Sequence, residues 1–204
     1  MYKRVANILQ KCYDEVVNPS ILRKAKGSFT YGESTIVLVR SILKEYHADL
    51  HCKTFVDLGS GCGQVCFTRF HFLNVSSIFV LQVCMMVAAL SSAAKCFGIE
   101  MLSAPHEFAL KLLHRFQCDL RALNIACAPI ELLQGDFLQI NSSLRDALSS
   151  AGIVYLNNPK FEPFVNFAIL EHLCPILPKK TKVICFESII GTKGYWNNCL
   201  MCVA

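Results

Sequence analysis

Residues Phe55–Gln64 read Phe-Val-Asp-Leu-Gly-Ser-Gly-Cys-Gly-Gln and hold the densest chemical signal in the chain. An apolar run, Thr54–Leu58, leads into a loop with glycine at 59, 61 and 63. Glycine adopts positive φ and carries no Cβ, so such a loop turns sharply and lets a ligand touch backbone. Placed after a strand and before a helix, it is the entrance to a nucleotide-type pocket in a Rossmann-like sheet. The spacing is GxGxG and not the dinucleotide GxGxxG, and Asp57 sits two residues before Gly59. Three more polar groups stand at the ends of apolar runs: Glu100, Asp136 with Phe137, and Asn157 with Asn158. In a parallel sheet, ligands bind beyond the carboxyl ends of the strands, so all four groups fall on one rim. A carboxylate ending the second strand can accept both hydroxyls of a ribose. One ending the third can accept an adenine amino group while the aromatic beside it covers the ring.

The elements that must position these groups alternate. Val5–Val17 reads as a helix stopped by Asn18-Pro19, and Lys26 to Ser34 as a loop. Apolar residues at 36, 38, 39, 42 and 43 predict a helix over Thr35–Tyr46. Strand Thr54–Leu58 and the glycine loop come next, then a helix over Val83–Lys95 and a strand over Cys96–Glu100. A long helix over Ser103–Asn124, a strand over Ile130–Leu133, a helix over Leu144–Ser149 and a strand over Gly152–Leu156 continue the pattern. Phe164–Cys174 and Thr181–Phe186 supply a last helix and a fifth strand. Strands alternating with helices mean an α/β, Rossmann-like, mostly parallel sheet. Two-sided burial then predicts buried strand residues at Phe55, Val56, Leu58, Ile130, Leu132, Val154, Leu156, Val183 and Ile184.

At 204 residues the length fits one domain with a sizeable core. The hydrophobic fraction is 53% and the mean hydropathy +0.41, apolar for a water-soluble enzyme. Twelve cysteines behind a polar, charged start (Met1–Gln10) fit reduced thiols in cytosol or nucleus. The CxxC at Cys199–Cys202 has no second pair or nearby histidine, so it reads as a frayed tail and no metal is expected. The net charge of +5 is uneven: Lys3, Arg4, Lys11, Arg23, Lys24 and Lys26 face only Asp14 and Glu15 in the first 26 residues. Such an arm suits nucleic-acid contact, or is an ordinary solvated helix face.

The glycine loop preceded by Asp57 resembles the first motif of class I S-adenosylmethionine-dependent methyltransferases. The order of Tyr31-Gly32-Glu33-Ser34, Phe55–Gln64, Gly135-Asp136-Phe137-Leu138 and Val154-Tyr155-Leu156-Asn157-Asn158 narrows the resemblance. Together these segments look like the catalytic domain of the Dot1 family, non-SET methyltransferases of a lysine in the histone H3 core. The likeness runs from about Phe29 to Phe186 and is most specific at Phe55–Gln64. It implies S-adenosyl-L-methionine as cofactor, histone H3 in nucleosomes as partner, and a chromatin role in the nucleus. By position, Tyr31, Gly32, Glu33 and Ser34 would close on the methionine end, Ser34 standing where the family usually has threonine. Asp57, Gly59, Gly61, Gly63 and Gln64 would line the cofactor pocket, Glu100 hold the ribose, and Asp136 and Phe137 the adenine. Asn157 would line the lysine channel as a catalytic group with Tyr31, and Phe161 would wall it. Pro159 replaces the aromatic usual after the Asn pair, Phe186–Ser188 departs from the family, and the chain ends before the family's last strands.

One stretch breaks the pattern. Residues 70–94 hold no Asp, Glu, Lys or Arg, enough length for a bilayer span. A span there would part the glycine loop from Glu100, so a membrane is not expected. Asp57 and Glu100 lie 43 positions apart, against about 20 from a glycine loop to its acid. Removing Val65–Gln82 would restore the family spacing, which marks it as an insert with the form of a translated in-frame intron. Poorly anchored extra helical turns are expected there. The organisation read from sequence is therefore a basic N-terminal segment and closing loop (1–34) and a methyltransferase domain (35–204) with the insert 65–82. Histone-lysine methylation leads. Another methyltransferase, of nucleic acid or protein, and an inactive Dot1-like binding module or membrane-inserted fragment remain open.

Overall fold

The protein is described from a computed structural model covering residues 1–16, 31–58, 75–158, 161–186, 189 and 200–203, with backbone alone at 31–36, 75–82 and 200–203. Strands β1 (Thr54–Leu58), β2 (Lys95–Glu100), β3 (Ile130–Gln134), β4 (Ala151–Leu156), β5 (Lys182–Cys185) and β6 (Leu200–Val203) form one sheet in the order β3-β2-β1-β4-β5-β6. Every neighbouring pair is parallel. The chain reverses its direction of winding between β1 and β4, the switch point at which such sheets bind ligands. β1 and β4 are buried at every position, as near-continuous apolar runs require.

Helices α1 (Tyr2–Val16), α2 (Tyr31–Tyr46), α3 (Val75–Leu90) and α4 (Ser103–Ala122) lie on one face, and α5 (Ser142–Ser149) and α6 (Pro163–Ala168) on the other. α3 explains the uncharged stretch. Val83 to Ala88 are six consecutive residues at most 1% exposed, so both sides of the helix are covered. The sheet lies under it, and α1 and α2 pack over it. A helix that is apolar all round is a buried helix when protein surrounds it. No helix among the described residues is long and apolar enough to cross a membrane.

Several boundaries differ from the expectation, each for a local reason. α2 begins at Tyr31, so the backbone of Tyr31–Ser34 is a helical turn and not a loop. No proline interrupts it, and an acid at its third position suits a helix start. α3 begins at Val75 and stops at Leu90 instead of running from Val83 to Lys95. Serines end it: the Ser91 hydroxyl accepts the Ala93 amide at 3.2 Å, drawing the chain out of the helix and towards β2. The expected poor anchoring of 65–82 concerns side chains outside those described. α5 starts two residues early because Asn141 caps it, its Oδ1 accepting the Leu144 amide at 2.9 Å. The helix expected over Phe164–Cys174 is α-helical only to Ala168, then widens into a π turn over Ile169–Leu173 before Pro175.

Ile130 and Leu132 are half-buried instead of buried, because β3 is an edge strand with one side unpaired. The C-terminal tail is also not frayed: Leu200–Val203 pairs with Lys182–Cys185 as the sixth strand. A strand of four residues shows too little alternation to be distinguished from a tail by pattern alone.

Candidate functional site

The strand starts are pinned by hydroxyls. Thr54 Oγ1 lies 2.8 Å from Ser150 Oγ, and the Thr181 hydroxyl is shared between the carbonyls of Ala151 (2.9 Å) and Pro178 (2.8 Å). The opposite ends, towards the rim, hold the polar residues.

Asp57 is the fourth residue of β1, 2% exposed, and neither carboxyl oxygen has a hydrogen-bond partner among the described residues. Glu100 ends β2 at 2% exposure, and its Oε1 accepts the Leu102 amide at 2.9 Å. Asp57 pairs with Gly98 in the ladder, so Asp57 and Glu100 project to the same face of adjacent strands. Burial first, and the Glu100 carboxylate second, hold the Asp57 carboxyl well above the usual carboxylate range. Two buried carboxylates side by side are unfavourable unless one keeps its proton or something positive lies against them.

The end of β3 is tied to the end of β2 by the Gly135 amide, which donates to the Glu100 carbonyl at 2.9 Å. Asp136 follows and turns the chain on itself, its Oδ1 accepting the Leu138 amide at 2.9 Å. Phe137 is buried, and its ring stacks on Phe161 with centroids 5.8 Å apart and planes at 29°. Phe161, expected to wall an acceptor channel, pairs with Phe137 on the α5 and α6 face of the sheet.

At the end of β4, Asn157 is half-buried while Asn158 is fully buried. Asn158 Oδ1 accepts the Phe186 amide at 3.0 Å, its Nδ2 donates to Asn166 Oδ1 at 3.4 Å, and its carbonyl accepts the Phe161 amide at 3.1 Å. The structure thus places Asp57, Glu100, Asp136, Phe137 and Asn157 at or just beyond the carboxyl ends of β1 to β4. Gly59, Gly61, Gly63 and Gln64 lie outside the described residues, as do the side chains of Tyr31, Glu33 and Ser34 and the departing residues Pro159, Glu187 and Ser188.

Two residues of this rim have roles that the sequence reading did not assign. Asn158 is hidden by its neighbour, since an Asn pair does not reveal which member faces inward. Tyr155 looks like one more apolar strand residue, yet its hydroxyl is buried without a partner among the described residues. It pairs with Asp57 across β1 and β4, and burial, followed by Asp57, pushes its phenol upward.

Comparison with known proteins gives the rim its context. The sequence model of the family described as "Histone methylation protein DOT1" matches residues 72–198, more than half of the chain. A "Histone-lysine N-methyltransferase, H3 lysine-79 specific" of Aspergillus fumigatus is 33% identical over 172 residues, 82% of this chain and 30% of the relative. Its Emericella nidulans counterpart is 31% identical over the same shares. That of Drosophila melanogaster is 28% identical over 83% of this chain and 8% of its own length. The chain thus spans less than a third of any of these three relatives. The family match runs across the strand ends carrying Glu100, Asp136 and Asn157, and by this match and these relatives the chain belongs to the DOT1 family.

Proposed function

We propose that this chain is the catalytic core of a histone H3 lysine N-methyltransferase that uses S-adenosylmethionine and acts on nucleosomes in the nucleus. The observation that carries the reading is the buried Asp57 carboxyl, without a hydrogen-bond partner among the described residues and set beside Glu100 at the switch point of the sheet in a DOT1-family chain. A ligand bearing an ammonium and a sulfonium relieves the burial of acid there, and the Asp57 oxygens can accept from it. The residues present therefore fit the cofactor. Asp57, with the backbone of Gly59, Gly61 and Gly63 and the side chain of Gln64, is assigned to its methionine end. Glu100 is assigned to the ribose hydroxyls, Asp136 and Phe137 to the adenine, and Tyr31, Gly32, Glu33 and Ser34 to the cover over the methionine. Asn157 is assigned to the acceptor lysine.

When bound, the cofactor supplies an electrophilic methyl group. The protein's tasks are to align the lysine nitrogen with that carbon, to exclude water, and to receive the lysine neutral. A desolvated channel disfavours the ammonium, so the lysine sheds its proton to solvent before its lone pair attacks. The Asn157 carboxamide orients the amine by hydrogen bonding, and no strong base is required.

The test is titration calorimetry with S-adenosylmethionine, followed by radiolabelled methyl transfer to nucleosomes, free histones and DNA. Cofactor binding with label on histone H3 is expected. Label on DNA alone would move the chain to a nucleic-acid methyltransferase. No binding would leave an inactive member of the family.

A further inference from the structure

The β4–β5 ladder ends at Leu156 paired with Cys185. Just beyond it, regular backbone pairing is replaced by a side chain: Asn158 Oδ1 takes the Phe186 amide at 3.0 Å. The same carboxamide reaches Asn166 on α6 at 3.4 Å, and the Asn158 carbonyl takes the Phe161 amide at 3.1 Å. Asn158 is 0% exposed while Phe186 and Asn166 are half-buried, so these bonds are closed to water on the Asn158 side. The Phe186 contact is the shortest of the three, and a half-buried amide left without its acceptor is penalised.

These contacts join four pieces of the rim. Asn157 is held between the last residue of β4 and the anchored Asn158, so its backbone has little freedom to turn. Phe161 is held at one end by Asn158 and stacks on Phe137 at the other. Phe186 packs edge-on against Tyr155, with centroids 6.1 Å apart and planes at 78°. Tyr155 in turn faces Asp57 across the ladder.

We propose that Asn158 is a positioning residue for the methyl acceptor: its carboxamide clamps the ends of β4, β5 and α6 together and so sets the orientation of Asn157. It touches neither reacting atom. The inference deepens the methyltransferase reading and rests on it, since Asn157 is there assigned to the acceptor lysine. Without the clamp the acceptor group keeps its chemistry and loses its aim. A misplacement of about 1 Å lowers turnover by roughly 100-fold.

The experiment compares Asn158→Leu, which keeps the branched shape at a larger volume and removes both the acceptor and the donor of the side chain, with Asn158→Asp, which keeps the acceptor for Phe186. Cofactor affinity is read by calorimetry, and kcat and KM separately on nucleosomes. For Asn158→Leu, kcat is expected to fall by about 100-fold, with cofactor Kd and nucleosome KM changed little. Asn158→Asp is expected to recover most of that loss, because Asn166 can rotate its amide to donate. If Asn158→Leu does not fold, Asn158→Asp and Asn166→Ala carry the comparison, and the first must show the smaller fall in kcat, with cofactor Kd unchanged in both. Unchanged kcat overturns the assignment, and so does an equal loss in cofactor affinity and turnover, which would mark a general structural role. A wild-type chain that binds no cofactor or transfers no methyl overturns the methyltransferase reading itself, and this assignment with it.

Discussion

Asp57 and Tyr155 face each other across the β1–β4 ladder, both buried, with the polar end of neither satisfied among the described residues. The Asp57 carboxyl titrates well above its ordinary value because of burial and then Glu100. Tyr155 on β4, Glu100 on β2 and Cys84 on α3 are its titratable neighbours. Between the ordinary carboxyl value and the raised one, the native state holds a proton that the unfolded chain has lost. Stability is therefore greatest below that window and falls as pH rises through it. Asp57→Asn is expected to flatten this slope and to stabilise the fold at neutral pH by about 1–3 kcal/mol. The same change weakens the cofactor by about 10–100-fold, and wild-type affinity rises with pH across the window. Thermal melts and calorimetry from about pH 5 to 8 check both, and an unchanged neutral-pH melt contradicts the account.

Gly152 is the second residue of β4, and a Cβ there would sit 1.9 Å from the Asp49 carbonyl oxygen and 3.0 Å from Lys53 Cβ. The obstacle is backbone in the turn before β1, which cannot swing aside as a side chain would. Gly152→Ala is expected to destabilise by about 1–3 kcal/mol through overpacking. Urea unfolding measures it, and a midpoint within error of wild type would show that the turn yields.

α1 is fastened to α4 by ionic contacts, Lys11 to Asp119 at 3.7 Å and Arg115 to Glu15 at 2.9 Å, beside the buried Cys12 thiol. Burial and then Asp119 push that thiol up to about 11. The side chains of Lys11, Glu15 and Arg115 are exposed while that of Asp119 is 19% exposed, so Asp119→Ala is expected to lower stability by about 1 kcal/mol, less at high salt. It is also expected to lower the Cys12 pKa, read as faster alkylation of Cys12 at about pH 9. Burial remains the first cause, so exposed Cys52 should still react before it.

The stacked pair Phe137 and Phe161 ties the proposed adenine site to the Asn158 turn. Phe161→Ala is expected to weaken cofactor binding by about 3–10-fold, the equivalent of one aromatic pair. Competition between S-adenosylmethionine and adenosine fragments would show whether the loss sits at the adenine. A loss confined to nucleosome KM would place Phe161 at the acceptor channel instead.

A bulky side chain in the glycine loop provides a check on the pocket that is independent of charge. Gly61→Val is expected to abolish calorimetric cofactor binding, by more than about 100-fold, because backbone that must approach the ligand is pushed away. Normal binding by the folded variant would refute the pocket assignment.

Amino-acid order alone carried a good deal. Alternating apolar runs separated by helical periods specify a parallel α/β sheet, because two-sided burial leaves strands no polar face. The residues after those runs, Glu100, Asp136 and Asn157, were legible as a rim because parallel strands all end on the same side. What order could not supply was the environment of each group. The strained burial of Asp57 depends on Glu100 and Tyr155 arriving from other strands. That Asn158 is the inward member of the Asn pair depends on Asn166 and Phe186, which lie 8 and 28 residues further along the chain. The uncharged 70–94 stretch reads as a membrane span until α1 and α2 cover Val83–Ala88, since hydropathy measures avoidance of water and not which apolar surface replaces it. The half-burial of β3 and the pairing of Leu200–Val203 were likewise tertiary decisions: whether a strand lies at an edge, or a tail becomes a strand, is set by the neighbour it meets and not by its own residues.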